Sequence, residues 1–160
     1  MAYVDFEGTA KFAKVFEHNR DMGENLMDGD QKSKIVDEDG HYLLTVEITP
    51  ETKKQMIAEG VPTKGMVGQL FKQDDEGNAS YKCKRPHFNP RINRGEGKIM
   101  GAPVVMDADS TEWDEQVLIG NGSKLKVRLD VWEGKIVTLH AVKVLELVEY
   151  TPDNTGLSGF

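Results

Sequence analysis

The stretch Lys124-Leu125-Lys126-Val127-Arg128-Leu129-Asp130-Val131-Trp132 alternates polar and apolar residues without a break until its final tryptophan. Strand side chains point to opposite faces in turn. Leu125, Val127, Leu129 and Val131 are therefore predicted to enter a core, while Lys124, Lys126, Arg128, Asp130 and Trp132 share the other face. Three cations and a tryptophan then line one surface. Cations of this kind follow a phosphate backbone, and a flat ring accepts an unpaired base whatever its identity, which is what single-stranded nucleic acid asks of a binding surface. Lysines also guard ordinary solvated strands against unwanted pairing. That plainer reading leaves the outward tryptophan unexplained.

Residues 136–150 form the next strand, across the tight turn Glu133-Gly134-Lys135, and the alternation slips near Ala141-Val142, where a bulge is expected. Upstream, residues 41–49 set Tyr42, Leu44, Val46 and Ile48 on one face. Thr49-Pro50-Glu51 then supplies an N-cap, a proline at the first helical position and an early acid, so a helix is predicted to about Glu59, stopped by Gly60 and Pro62. Residues 66–73 and 79–85 flank Asp74-Asp75-Glu76-Gly77-Asn78 and read as a hairpin. Residues 8–17 read as the first strand, with Phe12 and Phe16 among its core positions. Residues 18–40 read as a long surface loop and 103–107 as a short strand, while 91–101, after Pro86 and Pro90, read as a mobile basic loop. Five or six strands with one short inserted helix and long loops make a mainly β chain, and an OB-like Greek-key barrel fits this order best. Residues 1–150 are expected to form that domain and 151–160 a short flexible C-terminal tail.

At 160 residues the chain has the size of one ordinary domain. No apolar run approaches the roughly 20 residues that cross a bilayer, and the start, Met1 to Glu7, lacks the basic and apolar regions of a secretory signal, so a soluble, cytoplasmic protein is expected. Cys83, the single cysteine, supports neither an internal disulfide nor a multi-cysteine zinc site and reads as a small core residue. A formal net charge of -7 argues against a nucleic-acid partner only if the charge is spread evenly, and it is not. Between Tyr81 and Lys98, Lys82, Lys84, Arg85, Arg91, Arg94 and Lys98 face the lone acid Glu96. Asp107, Asp109, Glu112, Asp114 and Glu115 then follow with no base among them.

The basic stretch Tyr81-Lys82-Cys83-Lys84-Arg85-Pro86-His87-Phe88 again interleaves cations with rings. Tyr81 and Cys83 are predicted inward, Lys82 and Lys84 outward, with Arg85 and Phe88 at the strand end. Lys82, Lys84, Arg85, Phe88, Arg91, Arg94, Lys124, Lys126, Arg128 and Trp132 are thus the candidate nucleic-acid contacts. His18, His41, His87 and His140 lack metal-ligand spacing, and no serine or cysteine sits in a nucleophile motif. Asp107-Ala108-Asp109 with Glu112 departs from a calcium loop and reads as a solvated acidic turn rather than a nuclease centre. No catalytic residue, metal or cofactor is expected.

Leu118-Ile119-Gly120-Asn121-Gly122-Ser123-Lys124, its continuation to Trp132, and the closing strand from Val137 to Tyr150 together resemble the replicative single-stranded DNA-binding proteins of short-tailed bacteriophages. Gly8-Thr9-Ala10-Lys11 and the strand around Lys82-Cys83 fit the same pattern more loosely. The resemblance implies an OB fold, sequence-tolerant binding of single-stranded DNA in phage replication and recombination, no catalysis, and a homodimer. It further implies contact with the phage DNA polymerase and helicase-primase through a C-terminal tail ending in an aromatic residue, here Phe160. The tail differs from the family's long acidic one, since residues 151–160 carry only Asp153 as an acid. A β-rich module whose basic face holds an acidic protein partner is the other function compatible with these residues.

Overall fold

The computed structural model describes residues 2–16, 40–64, 70–73, 76–89, 98–132 and 136–148. The period-two patterns become β1 (Ala2–Lys14), β2 (His41–Ile48), β3 (Phe71–Gln73), β4 (Ala79–Pro86), β5 (Phe88–Asn89), β6 (Lys98–Ile99), β7 (Val104–Asp107), β8 (Lys124–Trp132) and β9 (Ile136–Glu146). A single described helix, α1 (Pro50–Ala58), lies between β2 and β3. Seven strands join one mixed sheet in the order β3-β4-β2-β1-β8-β9-β7, antiparallel throughout except where β7 runs parallel to β9, and β5 pairs with β6 in a separate small ladder.

β1 is the hinge of this order. Residues 2–9 pair with β8 and residues 9–14 with β2, so one long strand serves both halves of the sheet. Gly8 stands at the changeover, where a methyl carbon would lie 2.4 Å from both the Glu47 carbonyl oxygen and Val46 Cγ1. Only a residue without a side chain permits that approach. The sheet then curls until β4 packs along β9, and Arg85 on β4 donates from Nη1 to the Leu139 carbonyl of β9 at 3.2 Å. The result is an OB-like β fold with β1, β2, β4, β8 and β9 as its barrel staves.

The interior follows from alternation. Val4, Phe6 and Ala10 of β1, Tyr42, Leu44, Val46 and Ile48 of β2, Tyr81 and Cys83 of β4, and Leu125, Val127, Leu129 and Val131 of β8 are all buried. Burial pushes the Cys83 thiol up, so it stays protonated and acts as a small apolar side chain. The helix behaves as its signals predict. Thr49 caps it by accepting from Thr52 N at 3.1 Å, Pro50 begins it, and Met56 alone among its residues is buried.

Three sequence expectations need correction. The first strand begins at Ala2 rather than residue 8, because Tyr3-Val4-Asp5-Phe6-Glu7 already alternates, with Val4 and Phe6 inward. Phe12 is not a core residue. Lys11 pairs with Thr45 and Lys14 with Leu43, so Phe12 and Ala13 together oppose Leu44 in a bulge that turns Phe12 out, 69% exposed, at φ 51°. That left-handed backbone favours glycine, and holding another residue there costs about 1–3 kcal/mol. The end of the expected basic loop is a short strand, since Lys98 and Ile99 pair with Asn89 and Phe88 and Met100 N donates to the His87 carbonyl at 2.7 Å, while residues 91–97 lie outside the described residues. On β9 the register skips His140 and Leu145, so the bulge expected near Ala141-Val142 is present, at His140, and a second one follows. The expected loop at 18–40 lies outside the described residues apart from Gly40, and so does the expected turn Glu133-Gly134-Lys135.

Candidate nucleic-acid interface

The face predicted from the Lys124–Trp132 alternation exists as drawn: Lys124, Lys126, Arg128 and Trp132 are exposed on β8, with Trp132 at 50%. Its flanking strands add residues that the sequence reading missed. Tyr3, opposite Asp130 on β1, is 50% exposed, and its ring lies 4.8 Å from that of His140 on β9, centroid to centroid. The Arg128 guanidinium carbon sits 5.3 Å from the Tyr3 ring centre, within cation–π range. The signal for Tyr3 was the period-two run beginning at that residue; His140 gave none, because the bulge breaks its strand's parity there.

Arg128 is also paired. Its Nε and Nη2 donate to Asp5 Oδ1 and Oδ2 at 2.8 and 2.9 Å, a two-point fork across β1 and β8. These hydrogen bonds hold the Asp5 carboxyl below its ordinary pKa, against a smaller opposing effect of burial, and raise that of Arg128. Beside the pair lies a shallow cavity of about 240 Å³ lined by Asp5, Lys126, Arg128, Lys143, Met106 and Ser110. Three cations against one carboxylate make it attractive to an anion of phosphate size. Lys124 meets Glu146 at 3.5 Å with both side chains well exposed, a pair that water largely screens.

The second group of candidates divides. Lys84 is exposed and Lys82 half-buried on β4, opposite Leu43 and Thr45 of β2, which in turn oppose Lys14 and Lys11 of β1. Arg85 does something else. Nε donates to the Gly101 carbonyl at 2.8 Å, Nη2 to the Met100 carbonyl at 2.9 Å and Nη1 to that of Leu139, so every guanidinium nitrogen is taken up by a backbone carbonyl and Nη1 bridges β4 to β9. Burial lowers its pKa, opposed by Tyr42 and Asp130. Phe88 is half-buried in β5, and neighbouring His87 is buried with Nδ1 2.6 Å from the Tyr42 hydroxyl. Arg91, Arg94 and Phe160 lie outside the described residues.

The Gly120-Asn121-Gly122-Ser123 turn is a structural junction. Buried Ser123 has its hydroxyl 2.9 Å from the Gly120 carbonyl and accepts from Val148 N at 2.8 Å, fixing the chain after β9. Ala10 exchanges backbone hydrogen bonds with Gly122 and Ser123, and Asn121 Oδ1 accepts from Phe12 N at 2.8 Å. The acidic turn is likewise self-contained, with Asp107 Oδ1 accepting from Asp109 N and Thr111 N, both at 2.9 Å.

Strand order and closure make this an OB-like β fold. Two solved structures share it. The crystal structure of gp2.5, a single-stranded DNA-binding protein encoded by bacteriophage T7, matches with a TM-score of 0.59 and 19% identity over 92% of this chain and 93% of that one. The single-stranded DNA-binding protein from bacteriophage Enc34 matches with a TM-score of 0.56 and 12% identity over 99% of this chain and 90% of the other. No family model matches the chain, and neither does any curated protein sequence.

Proposed function

We propose that this chain binds single-stranded DNA without strong sequence preference, supporting phage DNA replication and recombination. The observation that carries the reading is the outer face of β8 and its neighbours, where Lys126, Arg128 and Lys143 surround an anion-sized cavity while Trp132 and Tyr3 offer half-exposed rings. Two structures of this fold belong to single-stranded DNA-binding proteins, which points the same way. In OB folds generally, oligonucleotides lie over the second and third barrel strands and the loop joining the last two. Here those strands are β2 and β4, the latter carrying Lys82 and Lys84, and Trp132 flanks the loop between β8 and β9.

Binding on this reading makes and breaks no covalent bond. Lysines and Arg128 displace counterions condensed on the phosphates, and the rings take the place of a neighbouring base in the stack. Duplex DNA offers the phosphates but withholds the base faces. Arg91 and Arg94 are further phosphate-contacting cations in this proposal. Phe160 serves as a docking point for the polymerase and helicase-primase, and a homodimer is the working assembly, both carried over from the family resemblance.

Titration with oligo-dT, followed by tryptophan fluorescence, tests the reading. Trp113 is an internal reference, half-buried with Nε1 donating to the Val117 carbonyl at 2.8 Å. Quenching is expected in the native protein and lost in Trp132→Ala, whose affinity falls by about 1–3 kcal/mol, one base–ring stack, with the melting temperature nearly unchanged. A variant that binds as before, or one that loses about 3–5 kcal/mol of stability as a buried tryptophan does, contradicts it.

A further inference from the structure

We propose that Phe12 is a base-stacking platform for single-stranded DNA, at the end of the barrel opposite Trp132 along β8; this rests on the function proposed above. Among the described large apolar side chains it is the most exposed, at 69%. It is also one of two described non-glycine residues with positive φ. A ring at this bulge gains nothing from the core and occupies a backbone conformation that glycine adopts without strain. Aromatic residues with φ above zero are genuine outliers, and such strain collects at binding sites.

The surroundings suit a nucleic-acid strand. β1 carries Lys11, ion-paired with Glu47, just before Phe12 and Lys14 two residues after it, and Leu43 lies between Lys14 and exposed Lys84 across the sheet. Lys124 pairs with Thr9 three residues before Phe12, roughly 10 Å along the strand. A phosphate backbone crossing the end of β1 therefore passes Lys14 and, across Leu43, Lys84 on its way to an exposed ring. The platform is also held in place: Asn121 Oδ1 accepts from Phe12 N at 2.8 Å, and the same turn exchanges backbone hydrogen bonds with Ala10. A backbone fixed before binding leaves less freedom to lose when a base settles on the ring.

Stacking and structural roles predict opposite signs for Phe12→Gly. As a stacking platform, the variant keeps or raises its melting temperature, because the strain goes, while oligo-dT affinity drops roughly 5- to 150-fold. Phe12→Tyr, which restores a ring of the same shape, keeps affinity within about twofold of the native protein. Native protein that binds oligo-dT beside a Phe12→Gly variant binding equally well overturns the Phe12 assignment alone. A Phe12→Gly variant that loses stability and affinity together makes the residue structural and overturns it too. Native protein with no affinity for oligo-dT removes the functional reading, and this assignment falls with it.

Discussion

Arg128 is held by a two-point fork to Asp5, so a phosphate must compete with a carboxylate for the same donors. Both side chains are partly exposed, 47% for Arg128 and 31% for Asp5, which limits the pair to about 0.2–1 kcal/mol of stability. Because the Asp5 pKa is lowered in the folded state, that stability is present in full above the ordinary carboxylate range and is lost as pH falls through the lowered value. Asp5→Asn removes this part of the acid sensitivity and frees the guanidinium. Affinity for oligo-dT is expected to rise roughly 1.5- to 5-fold, measured by anisotropy at low salt. A fall would mean that Asp5 positions Arg128 for binding. At this scale the sequence was uneven to read: Trp132 and the three β8 cations followed from parity alone, whereas Phe12 changed sides because a bulge shifts parity by one residue and nothing in Lys11-Phe12-Ala13-Lys14 announces it. Arg85 carried no signal either, since its acceptors are carbonyls from two other segments.

Among the elements, β1 decides whether a barrel forms. It must pair with β8 and β2 in succession, and Gly8 lets it pass close to Glu47 and Val46 at the changeover. Gly8→Ala forces a methyl into backbone and a buried valine, and overpacking of this kind costs about 1–3 kcal/mol or more. Denaturant unfolding should show the midpoint moving down accordingly. A midpoint unchanged from the native protein would mean that β1 bends elsewhere. β2, α1, β4 and β8 were legible because each carries a local signal: uninterrupted alternation, or a cap followed by proline. The pairing of β7 parallel to β9 was not, because a four-residue strand gives its partner's identity only through the sheet it joins.

For the molecule as a whole, a net charge of -7 coexists with exposed cations on β8 that interleave with acids of the neighbouring strands, Asp5 at Arg128, Glu7 opposite Lys126 and Glu146 at Lys124, while a further group of acids lies in the self-capped turn after β7. Order and closure of the barrel place Lys126, Arg128 and Lys143 about one cavity and keep Trp132 and Phe12 outside the core. Fold class was readable from strand count and turn chemistry. Closure was not, since it rests on long-range packing of β4 along β9, with the Arg85–Leu139 bond among its contacts, that no local pattern marks. The most direct measurement is competition between labelled oligo-dT and duplex DNA of equal length across a salt series. If Lys82, Lys84, Lys126 and Arg128 each neutralise a phosphate, log Kobs falls linearly with log salt at a slope of roughly -3, about -0.7 per phosphate, and the duplex competes poorly. A slope near zero, or a duplex that displaces oligo-dT as well as oligo-dT itself, would contradict a single-stranded DNA-binding face on this barrel.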